Sequence, residues 1–234
     1  MKMRSVILAG GLGERLRPYT AALPKPLMPV GEFPILEILV RQLAKNGVNH
    51  ITLAVNHQAE LFRAYFGNGE RWNLKIDYSL ETERLGTIAP LLLIPDLPDD
   101  FLIMNGDVLT DLRFASLMDD HLNGNSIFTI SGYKRENMVD FGVLETNNNS
   151  NLVGFVEKPT NCYKVSMGIY AASRGILDFI PPGKPYGFDN LMLELIEKDK
   201  PVTVREHTGL WLDIGRSEDY FQANELWEDI KDDI

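Results

Sequence analysis

The chain has 234 residues, of which 44% are hydrophobic and 24% are charged, a composition typical of globular proteins and unlike fibrous or disordered chains. Its single cysteine, Cys162, cannot form an internal disulfide. No apolar run approaches the roughly 20 residues needed to cross a bilayer, and the first residues lack the charged-then-apolar pattern of a secretory leader, so we do not expect secretion. We therefore expect a single domain over residues 1–234 that is cytoplasmic and not inserted in a membrane.

The net charge of −10 is unevenly distributed along the chain. Residues 1–50 hold seven Lys or Arg against three Glu, a net charge of +4, whereas residues 217–234 hold seven acids against one lysine, a net charge of −6. An acidic protein with a basic first segment favours a small anionic ligand over a long polyanion. We expect no nucleic-acid partner.

The first half of the chain alternates between strand and helix patterns. Short apolar runs predict strands at residues 3–9, 51–55, 74–78 and 101–104, and helical spacing predicts helices at residues 35–43 and 59–66. A further helical segment is predicted with Pro90 near its start, where the missing N–H costs little. This βαβ alternation predicts an α/β fold with a Rossmann-like, doubly wound sheet.

After residue 125 the pattern changes to strands with little helix between them, which predicts antiparallel additions and therefore a mixed sheet. These strands are predicted at residues 126–133, 142–145, 152–156 and 167–172. Two closing helices are predicted at residues 188–198 and 217–230, the second with Ser217 as its N-cap, beside short strands at residues 202–204 and 211–213.

Three glycines directly follow the first predicted strand. Residues 8–16 read Leu-Ala-Gly-Gly-Leu-Gly-Glu-Arg-Leu, and backbone N–H groups at Gly10, Gly11 and Gly13 can approach phosphate oxygens with no Cβ in the way. The Gly-Lys-Ser/Thr of a Walker loop is missing, and Leu16 stands where a dinucleotide fingerprint has its third glycine. The glycines alone are equally compatible with a tight turn that binds nothing.

Cations near this loop favour the phosphate interpretation. Arg15 and Arg17 follow the last glycine, and Lys25 stands between Pro24 and Pro26. Because proline fixes its own φ and restricts the residue before it, we expect an extended Pro-Lys-Pro segment that aims the lysine in one direction.

Two aspartates, Asp107 and Asp213, each follow a short apolar strand. The carboxyl ends of strands in open α/β sheets are where ligands bind, although an Asx turn or a helix cap is the alternative for each residue taken alone. Two carboxylates beside a phosphate loop suggest Mg²⁺, which prefers oxygen ligands and usually takes one or two carboxylates plus substrate phosphates.

With these motifs the sequence resembles the sugar-1-phosphate nucleotidyltransferases. The glycine motif is followed by Pro-Lys-Pro-Leu at residues 24–27, and the later motifs stand in the family's order: Gly106-Asp107, Phe141-Gly142-Val143, Glu157-Lys158-Pro159 and residues 211–215. The form Leu-Gly-Thr-x-x-Pro-Leu at residues 85–91, with Glu81 and Glu83 nearby, is most similar to the mannose-1-phosphate guanylyltransferases.

The resemblance implies a fold of the nucleotide-diphospho-sugar transferase type and a reaction between an NTP, with GTP favoured, and a sugar 1-phosphate. The phosphate oxygen would attack the α-phosphorus in line, pyrophosphate would leave, and Mg²⁺ would be the cofactor. A UTP- or dTTP-dependent enzyme is the alternative. Rivals from other classes are a non-catalytic nucleotide-sugar sensor and an NAD-dependent dehydrogenase.

The resemblance also assigns residues to roles, with residues 1–125 mainly binding the nucleotide and residues 126–234 mainly binding the sugar phosphate. The catalytic residues would be Arg15 and Lys25, and the metal ligands Asp107 and Asp213. The nucleotide would contact Leu8, Ala9, Gly10, Gly11, Gly13, Arg15 and Gly86. The sugar phosphate would contact Asn105, Gly142, Glu157, Lys158 and Ser166.

The sequence departs from the family at one position, because Ser166 stands where relatives usually have Asn, and a sugar other than mannose or glucose is therefore plausible. The C-terminal β-helix of many relatives is not expected, and a homo-oligomer is compatible with the sequence. Histidines 50, 57, 121 and 207 lack metal-ligand spacing, and Cys162 has no base partner, so we assign them no chemistry. Four aromatic residues are expected to form a core around the last helix: Trp211, Tyr220, Phe221 and Trp227.

Overall fold

The computed structural model describes residues 3–11, 13–56, 58–232 and 234; Leu12 of the glycine motif and His57 lie outside the described residues. The strands are β1 (Met3–Leu8), β2 (Pro29–Val30), β3 (Phe33–Pro34), β4 (Val48–Val55), β5 (Lys75–Leu80), β6 (Asp100–Asn105), β7 (Val108–Thr110), β8 (Phe128–Met138), β9 (Val143–Thr146), β10 (Leu152–Val156), β11 (Thr160–Ser173), β12 (Val202–His207) and β13 (Trp211–Asp213). The helices are α1 (Ile35–Lys45), α2 (Ala59–Phe66), α3 (Phe114–Asn123), α4 (Phe188–Glu197) and α5 (Ser217–Ile230).

A seven-stranded sheet in the order β12-β8-β11-β6-β1-β4-β5 forms the centre of the molecule. Strands β6, β1, β4 and β5 are parallel, whereas β11 runs antiparallel to both β6 and β8. The mixed, Rossmann-like sheet predicted from the sequence is confirmed. Leu8 lies opposite Asn105 in the β1–β6 pair, so the glycine motif and Asp107 leave the sheet at the same edge.

Helices cover both faces of this sheet, as a doubly wound fold requires. One buried cluster joins the sheet to α1, α2 and α3, and a second joins its other face to α4 and the segment 88–97. A third buried cluster packs α5 against β2 and the start of α1. Within the described residues, no helix is both long and apolar enough to cross a membrane.

The helical segment predicted around Pro90 is the 3₁₀ helix Ala89–Leu93, with Pro90 in its first turn as expected. Two other local expectations were wrong. Ser217 is the first helical residue of α5 rather than its N-cap, and the Asp219 carboxylate accepts from the N–H groups of Gly215 and Arg216 at 3.1 and 2.8 Å. Phe221 is 52% exposed, whereas Trp227 is buried as expected.

Helix α5 is held to the rest of the molecule through Trp227 and Tyr220. Trp227 is 5% exposed, and its Nε1 donates to Glu32 Oε2 at 3.2 Å, while the Tyr220 hydroxyl donates to the Pro29 carbonyl at 2.7 Å. Gly31 makes this approach possible, because a Cβ there would lie 2.0 Å from Trp227 Nε1 and its φ is +56°.

We therefore expect Gly31→Ala to lower the free energy of unfolding by about 3 to 4 kcal/mol, since backbone strain and a steric clash with Trp227 act together. Gly47→Ala is the matched control, because Gly47 also has a positive φ, +84°, but a Cβ there would meet open space. Strain alone should cost Gly47→Ala about 1 to 2 kcal/mol. Urea unfolding measures both, and equal losses would contradict the packing account of Gly31.

Candidate functional site

A cleft of about 1140 Å³ opens at the carboxyl ends of β1, β4, β5 and β6. It is the place where open α/β sheets bind ligands. Asn105 and Asp107 line it at the end of β6, and Glu81 lines it at the end of β5, three strands away in the sheet; Gly215 and Thr87 line it as well. Every residue that the sequence assigned to the nucleotide lines this cleft, as do both residues assigned to catalysis: Leu8, Ala9, Gly10, Gly11, Gly13, Arg15, Gly86 and Lys25.

The glycine loop is fixed by its own contacts. Gly13 has φ +62°, and its carbonyl accepts from the Thr20 hydroxyl at 2.7 Å. A Cβ on Gly13 would lie 2.9 Å from Thr20 Cγ2, so the loop and the following turn pack without room for a side chain. A Cβ on Gly11 would meet nothing within 4 Å, so this part of the loop presents open backbone to the cleft.

Lys25 is buried against the cleft, with only 9% of its side chain exposed, and its Nζ forms an ion pair with Asp107 Oδ2. The sequence predicted an extended Pro-Lys-Pro segment, and this prediction was wrong. Pro24 is extended, but Lys25 begins the 3₁₀ helix Lys25–Leu27. Proline is favoured in the first turn of a helix, and Pro26 stands there. The two prolines therefore still fix the direction of the lysine, through a turn rather than an extended chain.

The pairing of β7 with β13 brings the two strand-end aspartates together. Asp213 lies opposite Val108, and the N–H of Ile214 donates to the carbonyl of Asp107 at 3.0 Å. Burial raises the pKa of Asp213 above its ordinary value, and the neighbouring Asp107 carboxylate raises it further, against the lowering effect of Lys25 and Arg15. The negative charges of Asp213 and Asp107 therefore repel each other.

These two carboxylates fit a hard divalent cation. Asp107 Oδ1 is buried and has no hydrogen-bond partner among the described residues, a vacancy that native proteins rarely leave unfilled. No group of three or more His, Cys, Asp or Glu side chains gathers within the described ranges. A cation held by Asp107 and Asp213 would therefore take its other ligands from water or from a bound phosphate.

Glu81, at the end of β5, lines the cleft with a carboxylate to which the sequence analysis assigned no role. Glu81 follows β5 directly, and its N–H donates to the Val55 carbonyl at 2.8 Å. Burial raises the pKa of Glu81, against a hydrogen bond from the Leu85 backbone that lowers it. A polar residue at the carboxyl end of a parallel strand was the available signal.

The loop between Glu81 and the 3₁₀ helix is anchored to Tyr186, two residues before α4. The Tyr186 N–H donates to Leu85 O at 2.7 Å, and Tyr186 O accepts from Ile88 and Ala89 at 3.1 Å. Gly86 has φ +85°, and a Cβ there would lie 2.8 Å from Tyr186 O. Only glycine fits where this loop passes the Tyr186 backbone, which explains the glycine at position 86 of the motif.

Of the residues assigned to the sugar phosphate, only Asn105 is among those that line the cleft. Gly142, Glu157 and Lys158 lie together at the base of the β9–β10 hairpin, where a Cβ on Gly142 would be 3.0 Å from Glu157 Oε2. Lys158 Nζ forms an ion pair with Asp140 Oδ1 at 2.7 Å. The sequence analysis missed Asp140.

Ser166 lies on β11 beside Asn105. Its Oγ donates to the Tyr170 hydroxyl at 3.1 Å and accepts from the Gly168 N–H at 3.2 Å. Gly168 has φ +73°, and a Cβ there would lie 2.4 Å from Asn105 Nδ2, so the serine segment and the cleft wall pack closely. The short side chain of Ser166 is thus already engaged within the protein.

The side chains left without a chemical role have structural partners where they are described. His121 is buried in α3, and its ring nitrogens contact Thr129 Oγ1 at 2.8 Å and Ser173 Oγ at 3.1 Å. His50 and His207 contact aspartates on neighbouring segments. Cys162 is an exposed free thiol.

The nucleotidyl transferase family matches residues 4–230 of the chain. The chain belongs to this family. The fold type inferred from the resemblance is confirmed by solved structures of HddC from Yersinia pseudotuberculosis, which are 27% identical and cover 96% of this chain and 99% of theirs. Their TM-scores are 0.75 and 0.74, and the second structure is a complex with GMP-PN.

Curated relatives include two enzymes that differ in nucleotide. The mannose-1-phosphate guanylyltransferase catalytic subunit beta of Dictyostelium discoideum is 34% identical over 96% of this chain. The UTP–glucose-1-phosphate uridylyltransferase of a Synechocystis strain is 32% identical over 94% of this chain. The chain spans 64% and 62% of the length of these relatives, respectively.

The raised pKa of Asp213 predicts that this nucleotidyl transferase gains stability when the charge is removed. The folded state retains the Asp213 proton to a higher pH than the unfolded state, so its stability falls as pH rises from the ordinary aspartate range through the raised pKa. Asp213→Asn should therefore have a higher free energy of unfolding than the wild type at pH 7 in metal-free buffer. The gain should vanish at a pH where both states are protonated.

The neighbouring capping residue gives a control of opposite sign. Asp219→Ala removes the acceptor of two backbone N–H groups at the start of α5 and should cost about 1 kcal/mol. Denaturant titrations at several pH values measure both variants. A loss of stability in Asp213→Asn at pH 7 would contradict the electrostatic account.

Proposed function

We propose that this nucleotidyl transferase transfers a nucleoside monophosphate from an NTP, with GTP favoured, to a sugar 1-phosphate and releases pyrophosphate. The observation that carries the proposal is the meeting of Lys25, Asp107 and Asp213 beside a glycine loop. The family membership and the names of the relatives support it. A UTP- or dTTP-dependent reaction stays open as the alternative.

The chemistry asks little of a general base, because a sugar 1-phosphate is already an ionised nucleophile. Catalysis then consists of positioning two anions and stabilising the charge that develops on the α-phosphoryl group. Open backbone at Gly11 would let phosphate oxygens approach, and Arg15 and Lys25 would supply positive charge. Both cations line the cleft beside this loop.

We infer that Mg²⁺ is the cofactor and that Asp107 and Asp213 would hold it. When bound, it would neutralise phosphate charge and relieve the repulsion between the two carboxylates. Lys25 already forms an ion pair with one of them, so the lysine would also help to hold the Asp107 side chain in place. Arg15 Nη1 would lie 3.6 Å from a Cβ on Gly215, which places the arginine beside the Asp213 loop.

The sugar phosphate would be held from the second half of the chain. Lys158 is the cation for its phosphate in this proposal, Glu157 the acceptor for its hydroxyls, and Asn105 the residue between the two substrates. Gly142 and Ser166 complete the assigned set. Residues 1–125 would then mainly bind the nucleotide and residues 126–234 mainly the sugar phosphate. The cytoplasmic location and a homo-oligomeric state stay predictions.

Glu81 supports guanine as the base. Its partly buried carboxylate lines the cleft at the end of β5, with Oε1 3.8 Å from the place of a Cβ on Gly10, and a carboxylate can accept two hydrogen bonds. Guanine offers two adjacent donors, N1–H and the N2 amino group, whereas uracil and thymine offer one N–H between two carbonyl oxygens. A carboxylate therefore favours guanine and repels the pyrimidine carbonyls.

Pyrophosphate release tests the proposed reaction. Wild-type protein with Mg²⁺, GTP and mannose 1-phosphate or glucose 1-phosphate should release pyrophosphate and form a nucleotide sugar. Lys25→Ala should lose about 10² to 10³ in kcat, because one preorganised charge is removed from the transition state. Lys45→Ala is the matched control, since Lys45 lies at the end of α1 and contacts the Ile234 carbonyl at 3.3 Å. Full turnover in Lys25→Ala would refute the role of this lysine.

The base assignment has its own test. Glu81→Gln keeps the shape of the side chain but adds a donor, so the ratio of kcat/KM for GTP to that for UTP should fall by about tenfold or more. ITP lacks the N2 amino group and should discriminate less between wild type and variant than GTP does. An unchanged GTP-to-UTP ratio would remove Glu81 from base recognition.

A further inference from the structure

Asp140 and Lys158 lie just beyond the paired ends of β8 and β11. In the β8–β11 pair, Met138 lies opposite Thr160, and the Val139 N–H then donates to the Pro159 carbonyl at 3.0 Å. The next residues in this register are Asp140 and Lys158. The β8–β11 pairing and this hydrogen bond therefore bring the two residues close together.

The two side chains form an ion pair close to Gly142 and Glu157, which the sequence assigned to the sugar phosphate. Lys158 Nζ lies 2.7 Å from Asp140 Oδ1, and the side chains are 53% and 68% exposed. Gly142 and Glu157, which belong to the same group, lie next to each other. The lysine that would bind the phosphate of the substrate is thus already neutralised by a neighbouring carboxylate.

We propose that Asp140 is a competing counter-ion that a sugar 1-phosphate must displace from Lys158. This inference rests on the proposed function, because it takes Lys158 as the phosphate-binding cation. Asp140 touches no reacting atom and acts through Lys158. It lowers the affinity for the sugar phosphate and does not affect the affinity for the nucleotide.

The physical argument is one of charge and exposure. An exposed ion pair contributes only about 0.2 to 1 kcal/mol, so Lys158 can be released to a stronger anion at little cost. A phosphate monoester carries a charge of about −1.5 to −2 near pH 7, more than one carboxylate. The phosphate therefore displaces Asp140 from Lys158, but its binding free energy is reduced by the loss of the ion pair and by repulsion from the Asp140 carboxylate. Removing the carboxylate removes both penalties.

Asp140→Asn should accordingly lower the KM for mannose 1-phosphate by about two- to fivefold, with kcat and the KM for GTP unchanged. Asp140→Glu keeps the charge and should stay near the wild-type KM. Glu145→Gln on β9 is the matched control, because it removes one exposed acid from the same hairpin without contacting Lys158. This split between KM and kcat is not expected from a merely structural role.

A double-mutant cycle with Lys158→Ala shows whether Asp140 acts through the lysine. Lys158→Ala should raise the KM for mannose 1-phosphate, and in that background Asp140→Asn should have no further effect. A KM unchanged or raised by Asp140→Asn would overturn the proposal, as would an equal decrease in Glu145→Gln or in the absence of Lys158. If Lys158→Ala leaves the KM unchanged, the role of Lys158 in the proposed function fails as well.

Calorimetric titration with mannose 1-phosphate and with inorganic phosphate needs no turnover. Asp140→Asn should bind these probes about two- to fivefold more tightly than the wild type, even if a different sugar is the physiological substrate. Equal or weaker binding of both probes would overturn the competition between Asp140 and phosphate for Lys158. Absence of pyrophosphate release by the wild type, with tighter phosphate binding by the variant, would refute the proposed reaction alone.

Discussion

Two aspartates that the backbone forces together are the constraint on which the cleft depends. The β7–β13 pairing fixes Asp107 and Asp213 as neighbours, and burial leaves little water to separate their charges. Such a pair is unfavourable unless cations join it. Lys25 forms an ion pair with Asp107, whereas the pKa of Asp213 stays raised by burial and by the Asp107 carboxylate. A bound cation would relieve this repulsion, which is why we propose a cation and a polyanionic ligand for the cleft.

The rest of the fold keeps that arrangement in register. Adjacent parallel strands deliver the glycine loop and Asp107 to one edge of the sheet. Helix α5 begins at Ser217, two residues after Gly215, and its anchor is the packing of Trp227 over Gly31. This packing therefore helps to position the loop that follows Asp213.

Much of this could be predicted from the sequence. The helices at residues 59–66 and 217–230 have the predicted bounds, because strong periodicity and a clear stop signal coincide there. Helix α3 was not predicted, and the helical segment around Pro90 is a 3₁₀ helix of five residues. The cleft residues of the glycine motif and Asp107 lie where the strand-end rule put them. Their roles stay predictions.

Other features could not be read locally. That Lys25 is buried against Asp107 depends on a contact between residues 82 positions apart, and the Pro-Lys-Pro pattern alone favoured an extended chain. The contact of Asp140 with Lys158 could not be predicted from neighbouring residues, because it depends on the pairing of β8 with β11. Glu81 stood at a recognisable strand end, but the sequence gave it no partner. Long-range pairing decides such residues.

The most direct test of the account is thermal unfolding with GTP and Mg²⁺ added separately and together. If Asp107 and Asp213 hold a cation that a triphosphate shares, both ligands together should raise the unfolding midpoint by more than the sum of their separate effects, since each strengthens binding of the other. Asp107→Asn should lose this joint effect. A full shift with GTP alone, or a joint effect that survives in Asp107→Asn, would contradict the account.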